Sequence, residues 1–179
     1  MKSHVAPRFW VILFMAGLVG LYYRSIDDKC RLVIPPELRN RLDAQAVVAA
    51  KWYDQTIALF PEEAYSRLAE ALSRQGSSEP KKRLVRRKML SEANVINLDS
   101  QGRMTVPEHL LEGVLMDEKK DRDLVIAGDW DKVLIHSGLR FRDMAAKDQV
   151  NLDEALSYVE KLSRRSQAQD EGEETTDSV

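Results

Sequence analysis

Two aspartate–arginine pairs carry the residue types and spacing that could do chemistry. Asp27 precedes Arg31 by four positions, Asp99 precedes Arg103 by the same interval, and each pair leads through a short apolar run to a proline, Pro35 or Pro107. Aspartate initiates tight turns because its carboxylate can accept from nearby backbone N–H groups. Gly102 can take the positive φ that such a turn asks for. Cys30 stands in the corresponding place of the first pair, where a side chain makes a less regular or slightly strained turn the expectation. For Asp27 and Asp99 two readings stand side by side: a local ion pair that fastens the turn, or a share in a ligand surface. Arg31 and Arg103 are read as ligand groups, because a guanidinium is a planar fork of donors suited to phosphate and to guanine edges. Two of them presented by related half-modules would form one paired reading surface.

The pairs belong to a longer repeat. Residues 25–38 align with 97–110 without a gap, and Ile26, Asp27, Arg31, Pro35 and Leu38 fall on Leu98, Asp99, Arg103, Pro107 and Leu110. The likeness continues with small gaps. A β-branched run at 47–50 and an apolar run at 56–60 match runs at 124–127 and 133–135, and each pair reads as two strands joined by a tight turn. Helical periodicity follows each: Ala64, Leu68, Ala71 and Leu72 share a face over 62–73, and Leu152, Leu156, Val159 and Leu162 share one over 143–165. Between the copies, residues 75–80 have linker composition, and a helix is expected over 80–93 with Pro80 in its first turn. The expected organisation is therefore α+β: domain one over 21–64, a helical linker over 65–92, domain two over 93–139, a C-terminal helix over 140–165, and a disordered acidic tail over 166–179.

Bulk properties exclude more than they identify. The chain has 179 residues, 44% hydrophobic and 31% charged, enough for a core in one or two small domains. Its formal net charge of −2 conceals segregated signs. Lys81, Lys82, Arg83, Arg86, Arg87 and Lys88 form a basic block, read either as a solvated outer face or as a phosphate contact. Asp170, Glu171, Glu173, Glu174 and Asp177 make the tail acidic, and such tails are usually solvated. The single cysteine suits a reducing compartment, and no Cys/His spacing calls for a metal. No Gly-rich phosphate loop, Gly-x-Ser-x-Gly or metal motif points to an enzyme, and His4, His109 and His136 are isolated. Residues 117–123 read as a mixed-charge, solvent-facing turn.

The first residues pull in another direction. Residues 9–23 are almost wholly apolar and follow Lys2 and Arg8, like the start of an export signal. The run is shorter than the roughly 20 residues of a spanning helix. Either residues 1–17 are an extension or anchor, or translation starts later, near Met15; from Leu18 the chain already reads as a strand.

Residues 20–42 resemble the opening of MraZ proteins, with Gly20 and Tyr22 in a first strand, Ile26, Asp27, Lys29 and Arg31 in a turn, and a strand ending at Pro35. Phe60, Pro61 and Tyr65, the helix leading into Leu98 and Asp99, the second turn with Gly102 and Arg103, and the hairpin at 124–135 extend the resemblance over 18–145. It implies two tandem swapped-hairpin modules of the SpoVT-AbrB type, forming a pseudo-dimeric barrel with flanking helices. It further implies a regulator that binds direct repeats in double-stranded promoter DNA of the division and cell-wall genes, usually as a repressor. Such a regulator works in the cytoplasm and nucleoid as a ring-like homo-oligomer, without cofactor, small-molecule substrate or membrane. Its DNA-contact positions fall on Arg31 and Arg103, with Lys29, Asp27 and Asp99 beside them. Cys30 replaces the family's glycine in the first turn, Gln101 replaces a charge in the second, and His136 replaces a common tryptophan. The competing readings are a membrane-tethered interaction module held by residues 9–23 and an antitoxin-like regulator using its acidic tail.

Overall fold

The two runs at 47–50 and 56–60 form adjacent interior strands of an antiparallel sheet, in a computed structural model that describes residues 17–42, 46–74, 79–115, 121–148, 152 and 154–161. The expectations for residues 1–16 and for the acidic tail lie outside the described residues. In chain order the elements of the first half are β1 (Leu21–Ser25), β2 (Arg31–Val33), α1 (Pro36–Leu42), β3 (Ala46–Trp52), β4 (Thr56–Phe60) and α2 (Glu62–Arg74). The second half repeats them as β5 (Asn94–Asn97), β6 (Arg103–Thr105), α4 (Glu108–Leu111), β7 (Asp123–Asp129), β8 (Lys132–Ser137) and α5 (Gly138–Asp148). Between the halves lies α3 (Pro80–Arg86), which runs into a π-helical turn over Arg87–Ser91. The regular helix expected over 80–93 is thus α-helical only in its first part.

Six strands form one sheet in the order β1-β7-β8-β4-β3-β5, and β2 pairs with β6 in a separate ribbon. The halves interleave. β1 of the first half pairs with β7 of the second, and β5 of the second pairs with β3 of the first. Exchanging the halves maps the strand order onto its own reverse. The register obeys the same exchange: Arg31 opposite Thr105 becomes Arg103 opposite Val33, and Ile57 opposite Ile135 becomes Val133 opposite Leu59. Leu32 faces Met104 and Ala58 faces Leu134, so a pseudo-twofold axis passes through these two pairs. Among the described residues the ladder is open, with β1 and β5 at its edges, and it does not form the closed barrel implied by the resemblance.

Period-two alternation explains why both faces of the central strands are covered. On one face Val47, Ala49, Ile57, Leu59, Val133 and Ile135 pack with Leu32 and Met104 of the ribbon and with Leu38 and Leu110 of α1 and α4. On the other, Ala50, Ala58, Phe60 and Leu134 meet Met89 and the apolar face of α2, contributed by Ala64, Tyr65, Leu68 and Leu72. The ribbon therefore rests on the larger core, which fixes it from below. Helix α5 begins at Gly138, just ahead of the helix expected over 140–165, and Ser137 Oγ accepts the backbone N–H of Arg140 at 3.4 Å as a cap. Chain contacts separate residues 1–141 from residues 142–179. In the second of these units, helical residues 154–161 expose Leu156, Tyr158 and Val159.

Candidate nucleic-acid interface

Each repeated turn is organised by its aspartate. Asp27 Oδ1 accepts the backbone N–H groups of Lys29 at 2.9 Å and Arg31 at 2.8 Å, while Oδ2 accepts Arg31 Nε at 2.7 Å. Asp99 repeats the set with Gln101 N–H at 2.9 Å, Arg103 N–H at 2.9 Å and Arg103 Nε at 2.7 Å. The backbone closes both turns alike: Cys30 N–H donates to the Asp27 carbonyl, and Gly102 N–H to that of Asp99. These bonds favour the ionised carboxylate. The backbone N–H of Arg31 is the main cause that holds Asp27 below the ordinary aspartate value, and that of Arg103 does the same for Asp99.

Cys30 does not make the first turn irregular. It adopts the left-handed region at φ 56°, where Gly102 sits at φ 76°, and the hydrogen bonds are conserved between the two turns. The strain expected at this residue is thus present in its backbone and absent from the turn's outline. The turns are also tied to one another across the pseudo-axis, because Ile34 N–H donates to the Gly102 carbonyl and Val106 N–H to that of Cys30.

The arginines stand on the first residues of β2 and β6, with side chains 44% and 42% exposed. Each is gripped through Nε, which leaves its Nη groups free of any partner among the described residues. Arg31 and Arg103 line one shallow depression of about 270 Å³, together with Asn97, Leu98, Asp99, Met104 and Thr105. The structure therefore brings the two arginines together on one surface. The aspartates sit behind them as the groups that aim them, and Lys29 is exposed on the first turn.

Two neighbours of this surface escaped sequence reasoning. Arg122 reaches the first turn from the second half, donating through Nη1 to the Asp27 carbonyl at 3.3 Å, with Nη2 3.7 Å from Asp28. The segment around it was expected to face solvent, yet Asp121 is buried and accepts from Ser137 Oγ at 2.8 Å. The signal was the pairing itself: β1 places Ser25 opposite Asp123, which draws 121–123 against the first turn.

Elsewhere the candidates behave as ordinary structure. His136 is buried with its ring edge-on to Phe141, and burial lowers its pKa. His109 Nε2 lies 3.0 Å from Asn94 Nδ2. The basic block is partly spent in local pairs, Lys82 with Glu79 and Lys88 with Glu92. Among the described residues no cluster of His, Cys, Asp and Glu could hold a metal, and no helix is long and apolar enough to cross a membrane. Leu21, Tyr22 and Tyr23, the end of the apolar run 9–23, lie in β1.

The fold is thus a duplicated scaffold, an interleaved pair of β-rich half-modules that presents two matched guanidinium groups. Comparison with known proteins places it further. The model of the family described as MraZ protein, antitoxin-like, matches twice, over residues 18–88 and 89–170, and the chain belongs to that family. It is similar to proteins named transcriptional regulator MraZ. The one from Thermomicrobium roseum is 36% identical over 92 residues, 51% of this chain and 64% of that protein. The one from Heliobacterium modesticaldum is 35% identical over 123 residues, 69% of this chain and 82% of that protein. The one from Oenococcus oeni is 28% identical over 136 residues, 76% and 92% of the two chains. These relatives are named as regulators, and the family is not one of enzymes.

Proposed function

We propose that this chain is a DNA-binding transcriptional regulator that reads double-stranded DNA with the paired turns. One observation carries the reading: Arg31 and Arg103, exchanged by the pseudo-twofold, keep their Nη groups available and line the same depression. The aspartates fix the guanidinium planes before the ligand arrives, so little side-chain entropy is lost on binding. Arginine forks of this kind donate in pairs to phosphate oxygens or to guanine O6 and N7. Lys29 adds a phosphate contact on the first turn. Asp27 and Asp99 act through the arginines they hold.

The sites are direct repeats in the promoter of the division and cell-wall gene cluster, and the regulator represses from the cytoplasm and nucleoid. It acts as a ring-like homo-oligomer, in which several arginine pairs meet successive repeats and each later module binds at high effective concentration. The relatives' shared name and the doubled turn support this reading. Selection of bound genomic fragments from the source organism, followed by gel shift on the recovered DNA, tests it. Tandem repeats upstream of division and cell-wall genes are the expected yield. Fragments without any repeat, or no retained DNA, would overturn it.

A further inference from the structure

The two turns distribute their charges differently, because Asp28 and Lys29 of the first are replaced by the neutral Ser100 and Gln101 of the second. A second difference lies in the helices that follow. Arg39 N–H donates to the Pro35 carbonyl at 2.9 Å and Leu111 N–H to that of Pro107 at 3.4 Å, so Arg39 and Leu111 are counterparts. Leu111 is buried in the core, while Arg39 is only partly buried.

The Arg39 side chain crosses from the first half to the second turn. A Cβ placed on Gly102 would lie 2.5 Å from Arg39 Nη1 and 2.9 Å from its Cδ. The arginine thus lies against a backbone that has no side chain to keep it away, next to Arg103. Arg31 and Arg103 are each fastened by an aspartate, but among the described residues the Arg39 side chain has no carboxylate and no hydrogen-bond partner. Its charged end is therefore left to water or to an anion from outside the chain.

We propose that Arg39 is a third phosphate-binding arginine, supplying the second turn with the cation that Gln101 does not. The second turn then presents Arg39 with Arg103 to the DNA backbone, as the first presents Lys29 with Arg31. The inference rests on the DNA-binding reading above. A purely structural role is the alternative: the apolar stem covers the turn and the charge does nothing.

Arg39→Leu separates the two, because it keeps an apolar stem and copies the counterpart residue. The probe is a fluorescein-labelled random-sequence duplex of about 30 base pairs, titrated by anisotropy between about 50 and 200 mM salt. Losing one phosphate contact should reduce the slope of log K against log salt by about 0.9. Adding Gln101→Lys to the variant should restore the slope. A folded Arg39→Leu chain with the wild-type slope overturns the role of Arg39 and leaves the DNA reading standing. Wild-type protein that does not bind the duplex overturns both. Should Arg39→Leu not fold, Arg39→Gln, which keeps part of the stem without the charge, is read in the same way.

Discussion

The pseudo-twofold makes a quantitative demand on the two central arginines. Arg31 and Arg103 have the same Nε–carboxylate distance of 2.7 Å and side-chain exposures of 44% and 42%. If both meet DNA, Arg31→Ala and Arg103→Ala should weaken binding by similar amounts. A bidentate arginine is worth about 1–3 kcal/mol when it reads a base, or roughly 5- to 150-fold in affinity. An arginine on phosphate instead removes about 0.9 from the salt slope, so raising salt from about 0.1 to 0.2 M costs the variant about twofold less than it costs wild type. Anisotropy with duplex DNA at two salt concentrations, beside circular dichroism on the same preparations, measures both quantities. The fold should survive, since an exposed ion pair contributes little to stability.

The aspartates sharpen this test through the sign of the effect. On charge alone, Asp27→Ala removes a negative group beside the phosphates and should strengthen binding. If Asp27 instead aims Arg31 and closes the turn through two backbone N–H groups, the same substitution should weaken binding. Folded Arg31→Ala and Arg103→Ala variants with unchanged affinity and unchanged slope would refute the paired-arginine interface. A rise in affinity on Asp27→Ala would refute the positioning role while sparing the arginines.

His136 gives the fold a dependence on pH. Burial lowers its pKa below the ordinary 6.5, partly opposed by Asp54, so the unfolded chain binds a proton that the native state refuses. Stability should fall as pH drops below about 6.5 towards the lowered native value; urea midpoints at several pH values should show this in wild type, and the decline in that window should vanish in His136→Gln. Gly102→Ala forces a side chain to φ 76° at a position where Arg39 already lies, and should cost about 1–2 kcal/mol from backbone strain alone. Cys30→Gly relieves the same strain in the first turn but adds about 0.5–1 kcal/mol of unfolded-chain entropy, so its thermal midpoint should stay close to wild type. A Gly102→Ala chain as stable as wild type would contradict the arrangement of the second turn.

Much of this site was legible because the duplication is local. Asp27 to Leu38 and Asp99 to Leu110 align without a gap, and the turn, the strand and the proline-led helix all follow from short-range preferences for aspartate, apolar residues and proline. Hairpins β3–β4 and β7–β8 were legible for the same reason. What could not be read was which strand pairs with which half. No local signal places Leu21 opposite Ala127 or Ala46 opposite Asn97. The missed contact of Arg122 descends from that exchange, whereas the burial of Asp121 rests on a contact distant in sequence within the second half. Asp121 was assigned to solvent because its burial depends on Ser137. Arg122 lay unnoticed because its target is the Asp27 carbonyl in the other half.

The exchange also explains how a three-residue ribbon can hold two arginines in register. A pair of strands as short as Arg31–Val33 and Arg103–Thr105 is marginal in water by itself. Here Leu32 and Met104 face each other at the pseudo-axis and are buried in the larger core, while the Cys30 and Gly102 carbonyls each take an N–H from the opposite half. Neither turn can shift without dragging residues of the other half with it. The spacing of the guanidinium groups is thereby set by the core of both halves together. Duplication within one chain then does more than supply a second arginine: it removes the need for a partner subunit to define the distance between them. It also frees the two halves to differ, as they do where Lys29 and Arg39 of the first correspond to Gln101 and Leu111 of the second, an asymmetry that identical subunits of a homodimer could not adopt.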